Sequence, residues 1–206
     1  MRKFVLAGAA ALIGLVSFAP AAAEADTTKP TLADILLSDS AKDGPDGFDH
    51  RSKDYDIVTQ TVLLFPDLVA AASDPNAQLT VFLPNDAAFR RLVYDVTGTW
   101  YRSEADIFNA VAGLGTDTVK NVLQYHIVPS AIPFSVALTA DGAKLDTLLP
   151  GATVEVDVRR HKPRIKLIDA DTNDRDARVV RADVGGAAAN GYPHGIDRVL
   201  RPIDLP

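Results

Sequence analysis

The feature that most constrains the fold is a change of hydrophobic period near the middle of the chain. In the first half, apolar residues recur every three or four positions, as they do on one face of an amphipathic helix. Clear examples are Leu32, Ile35 and Leu36, followed by Ile107, Phe108, Val111 and Leu114. In the second half the period becomes two, because Val154, Val156 and Val158 alternate with polar residues, which predicts a strand with one buried face. Helices followed by strands, without regular βαβ alternation, predict an α+β fold with a mainly antiparallel sheet and not a doubly wound nucleotide-binding fold.

Local signals set the predicted boundaries of these elements. Thr31-x-x-Asp34 and Ser103-x-x-Asp106 have the form of capping boxes that open helices. A further helix is predicted over about 54–73 with a break at Pro66, and another opens with Thr116 as its cap. Strands are predicted over 154–158, 164–169, 178–184 and 195–202.

The N-terminus has the layout of a secretory signal peptide. Arg2 and Lys3 precede an uncharged apolar segment over 4–18, and small residues over 21–25 offer cleavage sites. The competing interpretation is a retained membrane anchor, but the apolar run is shorter than the roughly 20 residues that span a bilayer. We therefore predict a signal peptide over 1–25, a single mature domain over 26–206 and a secreted location, extracellular or periplasmic. No second long apolar segment follows, so no membrane span is expected after cleavage.

Composition limits how the mature domain is stabilised and what it binds. The chain has no cysteine, so disulfides cannot stabilise it and it must rely on a packed core. Cleavage after Ala25 would remove two basic residues and one acidic residue, leaving 19 basic against 26 acidic residues, a net charge of -7. An acidic balance argues against nucleic acid as a partner, because phosphate binding needs a basic face.

The segment TVFLPNDAAFRRL, residues 80–92, raises the question of a catalytic turn. It holds no serine or cysteine of a nucleophile elbow and no glycine of a phosphate loop. Asn85 is a good helix cap, Asp86 favours the positive end of the helix, and an apolar stripe follows. The segment therefore predicts a strand that leads into a capped helix, and no catalytic residue is assigned.

The histidines and acidic clusters do not predict a metal site. His50, His126, His161 and His194 fit no zinc spacing, and a buried structural role is favoured for His126 over a role as general base. The run from Asp169 to Asn173 resembles the start of a calcium loop, but Asp174 and Val180 stand where that loop needs glycine and glutamate. A solvated hairpin turn is favoured there, and a second acidic cluster, Asp43, Asp46 and Asp49, is no more specific.

Basic residues cluster at the predicted tip of a hairpin. The cluster comprises Arg159, Arg160, Lys162, Arg164 and Lys166, together with His161. One interpretation is a charged tip that protects sheet edges from aggregation. The other is an anion-binding patch suited to sulfated or phosphorylated polysaccharide or an anionic surface. Charged runs are usually just solvated, so the first interpretation is favoured.

Three segments together resemble the fasciclin-type adhesion domain. They are TVFLPNDAAFRRL at 80–92, LQYHIVPSAI at 123–132 and NGYPHGIDRVLRP at 190–202, in the order of that family's conserved blocks. The resemblance covers about 31–203. It implies a wedge in which helices pack on a two-layer, mainly antiparallel β-sheet. It also implies binding positions at Asn85, Asp86, Tyr125 and His126, and mostly fold-supporting roles for Asn190, His194, Asp197 and Arg198.

The resemblance implies a secreted, non-enzymatic binding or cell-adhesion module without a cofactor. Its expected partner is a cell-surface or matrix protein or polysaccharide, and the polar loops over 41–54 and 94–103 are candidates for specificity. An alternative is a carrier of a small hydrophobic ligand in a groove between helices and sheet. A hydrolase using His126 or His194 with a buried aspartate is a third hypothesis.

Overall fold

The computed structural model describes residues 28–40, 47–159 and 164–203. The helices are α1 (Leu32–Ser40), α2 (Asp56–Leu63), α3 (Pro66–Ser73), α4 (Asp86–Thr97), α5 (Glu104–Ala112), α6 (Thr116–Tyr125) and α7 (Phe134–Ala137). The strands are β1 (Leu79–Pro84), β2 (Ile127–Val128), β3 (Lys144–Asp146), β4 (Thr153–Arg159), β5 (Arg164–Ile168), β6 (Ala177–Arg181) and β7 (Gly191–Ile196). The predicted signal peptide lies outside the described residues.

Local sequence signals fix most helix boundaries. The backbone amide of Thr31 donates to Asp34 at 2.9 Å, and the amide of Asp34 donates back to the Thr31 hydroxyl at 3.2 Å, which confirms the predicted capping box. Pro66 separates α2 from α3 and occupies the first turn of the new helix, where its missing amide costs nothing. Gly98 ends α4 in the left-handed conformation, with φ of 70°.

The strands form one sheet in the order β2-β1-β7-β6-β5-β4-β3. The pairing of β1 with β7 is parallel, and the other strand pairs are antiparallel. The amide of Leu148, just after β3, donates to the carbonyl of Ile127 in β2 at 2.7 Å, so the two ends of the sheet approach each other. The mainly antiparallel sheet is confirmed, but the strands make a single, nearly closed sheet where two layers were expected.

The curled sheet separates two hydrophobic clusters among the described residues. The first lies between the helices and the outer face of the sheet, and contains Ile57, Leu83, Phe89, Ile107 and Leu123. The second lies inside the sheet, and contains Phe82, Val154, Val156, Leu167 and Ile196. Strand β1 contributes to both because successive side chains point to opposite faces.

Several predicted elements differ from the structure. The last strand covers Gly191–Ile196, not 195–202, and β6 ends at Arg181, not at 184. Gly115, not Thr116, occupies the cap position of α6, and it makes no side-chain cap. The short strands β2 and β3 were not predicted. The predicted hairpin tip at 160–163 lies outside the described residues.

Among the described residues, no single helix is long and apolar enough to span a membrane. Only α2 and α3 taken together have the required length and apolarity, and they are bent by 111° at their junction.

Candidate functional site

Three helix starts meet at one buried point of the fold. Helices α2, α4 and α5 begin at Asp56, Asp86 and Glu104, and each start carries an acidic residue because the positive helix end stabilises a carboxylate. All three residues are at most 1% exposed. One carboxylate oxygen from each lies within 4.8 Å of the others. With Asp49 and Asp54 at its outer side, this group is called the acidic cluster below.

Asp86 and Glu104 each turn one oxygen toward a backbone amide. The amide of Ile57, at the start of α2, donates to Asp86 Oδ1 at 3.0 Å. The amide of His50 donates to Glu104 Oε2 at 2.8 Å. The other oxygens, Asp86 Oδ2 and Glu104 Oε1, are buried and accept no hydrogen bond from a backbone or basic group of the described residues, although the Asp86 carboxyl group lies within hydrogen-bonding reach of the Asp54 carboxyl group. The two side chains are therefore held firmly at one oxygen and lack a backbone or basic donor at the other.

The loop before α2 supplies the outer side of the acidic cluster. The amide of Asp49 donates to Asp56 Oδ2 at 3.0 Å, and Asp49 also pairs with the exposed Arg51 at 3.2 Å. Asp54 is half-buried, and its carboxyl group lies within hydrogen-bonding reach of those of Asp86 and Asp49. The amide of Asp86 donates to the Asp54 carbonyl at 3.2 Å, so the loop is tied to the start of α4.

Burial and mutual repulsion perturb the carboxyl groups of the acidic cluster. Burial, then the neighbouring Asp54, raises the pKa of Asp86 far above its usual range. Burial is also the main cause that raises the pKa values of Glu104 and Asp54. Such a site has two chemical options: it can share protons between its carboxyl groups, or it can bind a cation with hard oxygen ligands.

Asn85 lies beside the acidic cluster and serves as the cap of α4. Its side-chain oxygen accepts from the amide of Ala88 at 2.9 Å, as predicted, and the residue is 7% exposed. The capping role of the segment 80–92 is thus confirmed. A direct contact between Asn85 or Asp86 and a macromolecular partner stays a prediction, and both residues are buried.

Tyr125 and His126 lie in the interior, away from the acidic cluster. The Tyr125 hydroxyl donates to the carbonyl of Thr153 at 2.9 Å. His126 Nε2 accepts from the amide of Leu200 at 2.9 Å, so Nδ1 carries the proton and donates to the carbonyl of Val122 at 2.7 Å. Burial lowers the pKa of His126 to about 4. These contacts join α6 to β4 and to the C-terminal segment, and a binding role for either residue stays a prediction.

Residues of the third sequence block support the fold. The Asn190 side chain donates to the carbonyls of Ala72 and Asp74 and accepts from the amide of Leu32, which ties β7 to α1 and α3. Asp197 Oδ1 accepts from the amide of Arg178 at 2.8 Å, and the Arg198 guanidinium donates to the Asp197 carbonyl at 2.9 Å.

The sequence analysis considered His126 and His194 for a hydrolase site. Within the described structure, His194 has a carboxylate nearby and His126 has none. Its Nε2 donates to the carbonyl of Ile132 at 3.0 Å, and its Nδ1 accepts from the amide of Asp183 at 3.3 Å. Asp183 Oδ1 lies 3.5 Å from the same nitrogen. The ring is 1% exposed, and both of its nitrogens are used within the fold.

The predicted anion patch is only partly described. Arg159 and Arg164 are exposed and face each other across β4 and β5. Lys166 pairs with Asp176 at 2.9 Å and with Asp157 at 3.4 Å, so its charge is balanced locally. Arg160 and Lys162 lie outside the described residues.

The prediction of a solvated turn over Asp169 to Asn173 was wrong for the central residue, Asp171. Asp171 is 3% exposed and accepts from Arg201 at 3.0 Å. Arg201 also pairs with Asp95 and with Asp174. The run therefore anchors the C-terminal segment through a buried arginine.

The Fasciclin domain family model matches residues 55–202, which is well over half of the chain. The chain belongs to the fasciclin family. A solved structure with the same fold is a FAS1 domain pair from the insect cell adhesion molecule Fasciclin I, with a TM-score of 0.57 at 17% identity. The match covers 84% of this chain and 51% of that one, so this chain spans about half of the pair. No curated protein matches the chain.

The surface of this fasciclin domain carries an aromatic pair that the sequence analysis did not single out. Tyr94, in the last turn of α4, meets Trp100 at an angle of 72°, with ring centroids 5.6 Å apart. Trp100 is 55% exposed and Tyr94 is 46% exposed. Both residues fall within 94–103, which the sequence analysis did name as a candidate for specificity, but this segment is helical up to Thr97.

The sequence analysis also missed that the acidic residues of this fasciclin domain converge. Each of Asp56, Asp86 and Glu104 opens its own helix, and helix starts are a common place for acidic residues. The available signal was that three such starts each carry an acidic residue, but sequence does not show that they meet.

Proposed function

We propose that this chain is a secreted, non-enzymatic binding module that contacts a cell-surface or extracellular-matrix component. The observation that carries the proposal is the match to the Fasciclin domain over 55–202. Fasciclin domains are generally adhesion-related modules of extracellular or surface proteins. The signal peptide predicted over 1–25 is consistent with that location.

We further propose that the exposed pair of Tyr94 and Trp100 is the centre of the contact surface. Tryptophan and tyrosine are enriched among residues that dominate binding energy, because they bring large, rigid area and a polar group. Gly98 and Ser103, which end α4 and cap α5, hold the two ends of the loop.

A single copy of this surface supports a contact of modest affinity. The apolar area that two aromatic rings offer is small compared with a standard protein interface. Strong adhesion would then depend on many copies displayed together, since linked contacts multiply in strength. The partner class is a matrix or cell-surface protein or a polysaccharide.

The test is retention of partners on immobilised protein. Wild-type protein displayed at high density is exposed to a panel of matrix proteins and to a glycan array, and we expect at least one partner to be retained. Trp100→Ala together with Tyr94→Ala should reduce retention at least tenfold. Val180→Ala is the matched control, because Val180 is also 55% exposed but lies on β6.

Two results would contradict these proposals separately. If wild-type protein retains nothing from either panel, the binding function is wrong. If a partner is retained equally well by the double variant, the function stands but the contact surface is wrong.

The carrier function is not proposed. The apolar cavity between the helices and the sheet, lined by Leu36, Val62 and Leu79 among others, encloses about 40 Å³. A second apolar pocket, beside Leu92, Val122 and Val199, encloses about 260 Å³. Sites for small ligands usually have volumes of about 300–1,000 Å³.

A further inference from the structure

The acidic cluster holds buried oxygens that the fold does not satisfy. Asp86 Oδ2, Glu104 Oε1 and Asp54 Oδ1 are inaccessible to solvent and accept no hydrogen bond from a backbone or basic group in the described ranges. The carboxyl groups of Asp54 and Asp86 lie within hydrogen-bonding reach of each other, and Glu104 Oε1 has no partner. Leaving an ionised carboxylate buried and unpaired is costly, so such groups normally pair, lose their charge or coordinate a metal. Two of these three side chains, Asp86 and Glu104, are completely buried.

The arrangement of the inner carboxylates matches the coordination of calcium. Calcium binds oxygen ligands at about 2.4 Å, so two ligands of one ion can be up to about 4.8 Å apart. One oxygen each from Asp56, Asp86 and Glu104 lies within 4.8 Å of the others. Magnesium gives up its waters reluctantly and needs near-ideal octahedral geometry, whereas calcium accepts irregular sets of carboxylates, so a site of buried carboxylates favours calcium.

The backbone holds these ligands in place before any ion binds. The amide of Ile57 donates to one oxygen of Asp86, and the amide of His50 donates to one oxygen of Glu104. The other oxygen of each carboxylate is therefore directed away from its amide. Metal ligands are commonly oriented by such supporting hydrogen bonds. His50 adopts φ of 68°, a conformation that non-glycine residues seldom take, and its amide is the one that reaches Glu104.

The charges around the acidic cluster favour a cation. Five carboxyl groups lie in or beside it, from Asp49, Asp54, Asp56, Asp86 and Glu104. Arg51 pairs with Asp49 on the exposed side. Two basic groups act on Glu104 from nearby: the charges of His50 and, to a smaller extent, Arg90 oppose the rise of its pKa caused by burial. The Arg90 guanidinium also donates to the Arg102 carbonyl at 3.4 Å.

We propose that the acidic cluster binds one calcium ion through the carboxylates of Asp56, Asp86 and Glu104. Asp49 and Asp54, which are half-buried, line the route from solvent, and water completes the coordination shell. The ion links the first turns of α2, α4 and α5. This proposal is independent of the adhesion function, because it rests on oxygens inside the domain.

The first test uses the metal alone on the purified protein. After removal of divalent ions with a chelator, calcium is added and followed by calorimetry and by thermal unfolding. We expect one site with a Kd in about the 10⁻⁴–10⁻³ M range that is common for extracellular calcium modules. At 10 mM calcium the Tm should then rise by about 3–11 °C, depending on where the Kd falls in that range. Magnesium at the same concentration should have a smaller effect.

Variants locate the site. Glu104→Gln keeps the shape of the side chain but removes its charge, and should weaken calcium binding at least tenfold. Asp86→Asn gives a second, independent variant if the first folds poorly. Asp106→Asn is the matched control, because Asp106 is an exposed acidic residue on the same helix as Glu104. It should bind calcium as the wild type does.

The proposal is overturned if calcium produces neither heat nor a rise in Tm for the wild-type protein. It is also overturned if both variants bind calcium as tightly as the wild type, which would place the ion elsewhere. A third contrary result is that Glu104→Gln and Asp86→Asn stabilise the protein while calcium has no effect. The carboxyl groups would then share protons and not a metal ion.

Discussion

His126 should make the stability of this fasciclin domain depend strongly on pH. The ring is 3% exposed and is held neutral, because Nε2 must remain unprotonated to accept from the amide of Leu200. Burial lowers its pKa from 6.5 in the unfolded chain to about 4 in the fold. The unfolded state therefore binds a proton as the pH falls below 6.5, while the folded state resists protonation until the pH approaches 4.

The size of the effect follows from these two pKa values. One pKa unit corresponds to about 1.4 kcal/mol, so the contribution lost between pH 7 and pH 5 is about 2 kcal/mol. By pH 4 the loss reaches about 3 kcal/mol, and it then levels off. Asp169 acts in the opposite direction, since burial raises its pKa to about 6 and the folded state binds that proton first. The total slope of the wild-type protein therefore mixes both effects.

The assay compares wild-type protein with His126→Gln, which cannot titrate. At pH 7 the variant should be less stable by about 1–3 kcal/mol, because buried hydrogen-bond partners lose their optimal geometry. Between pH 7 and pH 4.5 the wild type should lose about 2.4 kcal/mol relative to the variant, since only the wild type carries the histidine penalty, so the difference shrinks and can change sign. Urea unfolding followed by circular dichroism at pH 7, 6, 5 and 4.5 measures it. His50→Asn is the control, because the His50 side chain is exposed.

The reasoning is refuted if wild-type protein and His126→Gln give parallel curves of unfolding free energy against pH. A constant difference would mean that the ring protonates as readily in the fold as in the unfolded chain. A change shared by His50→Asn would assign the effect to something other than His126.

Three further substitutions test the packing of the sequence blocks. Gly191→Ala should destabilise the domain by at least about 2 kcal/mol, because its Cβ would collide with a backbone carbonyl of β1, and thermal unfolding would show it. Asn85→Ala should cost about 1 kcal/mol, measured by urea unfolding, because the first turn of α4 loses its cap. Tyr125→Phe should also cost about 1 kcal/mol in the same assay, since the carbonyl that its hydroxyl reaches loses a donor.

Each of these substitutions has a matched control. Gly142→Ala is compared with Gly191→Ala, because no heavy atom lies near the position of its Cβ, and an equal loss at both sites would point to backbone conformation and not to collision. Asn85→Asp should retain the cap, so a loss equal to that of the alanine variant would contradict the capping argument. Tyr192→Phe, at a half-buried tyrosine, should leave stability nearly unchanged, and a cost equal to that of Tyr125→Phe would contradict the hydrogen-bond argument.

Features set by neighbouring residues could be predicted from the sequence. The cap at Asn85 and the capping box at Thr31 involve partners three residues away, so composition and spacing are sufficient. Strand β4 was predicted because its buried face alternates with a polar one. The three sequence blocks carried the fold class, since their order is specific even where each is short.

Features that depend on distant contacts could not be predicted. Asp86 is a favourable residue for a helix start, but its burial depends on the packing of α2 against it. The contact is the amide of Ile57, 29 residues earlier, which donates to the Asp86 carboxylate. The last strand was placed at 195–202 because Val199 and Leu200 look apolar and extended, whereas β7 contains Pro193 and two glycines, which strand propensities disfavour. That segment is a strand because β1 pairs with it, and no local pattern encodes such a pairing.

The parallel pairing of β1 with β7 also sets when the domain can fold during synthesis. Leu79 pairs with Gly191, 112 residues further along the chain. Strand β1 packs against the helices on one face and fills the curled sheet on the other, so both hydrophobic clusters lack a central partner until the last segment leaves the ribosome. Contacts of such long sequence separation slow folding. For a chain predicted to be exported, such a delay would keep the polypeptide unfolded during translocation.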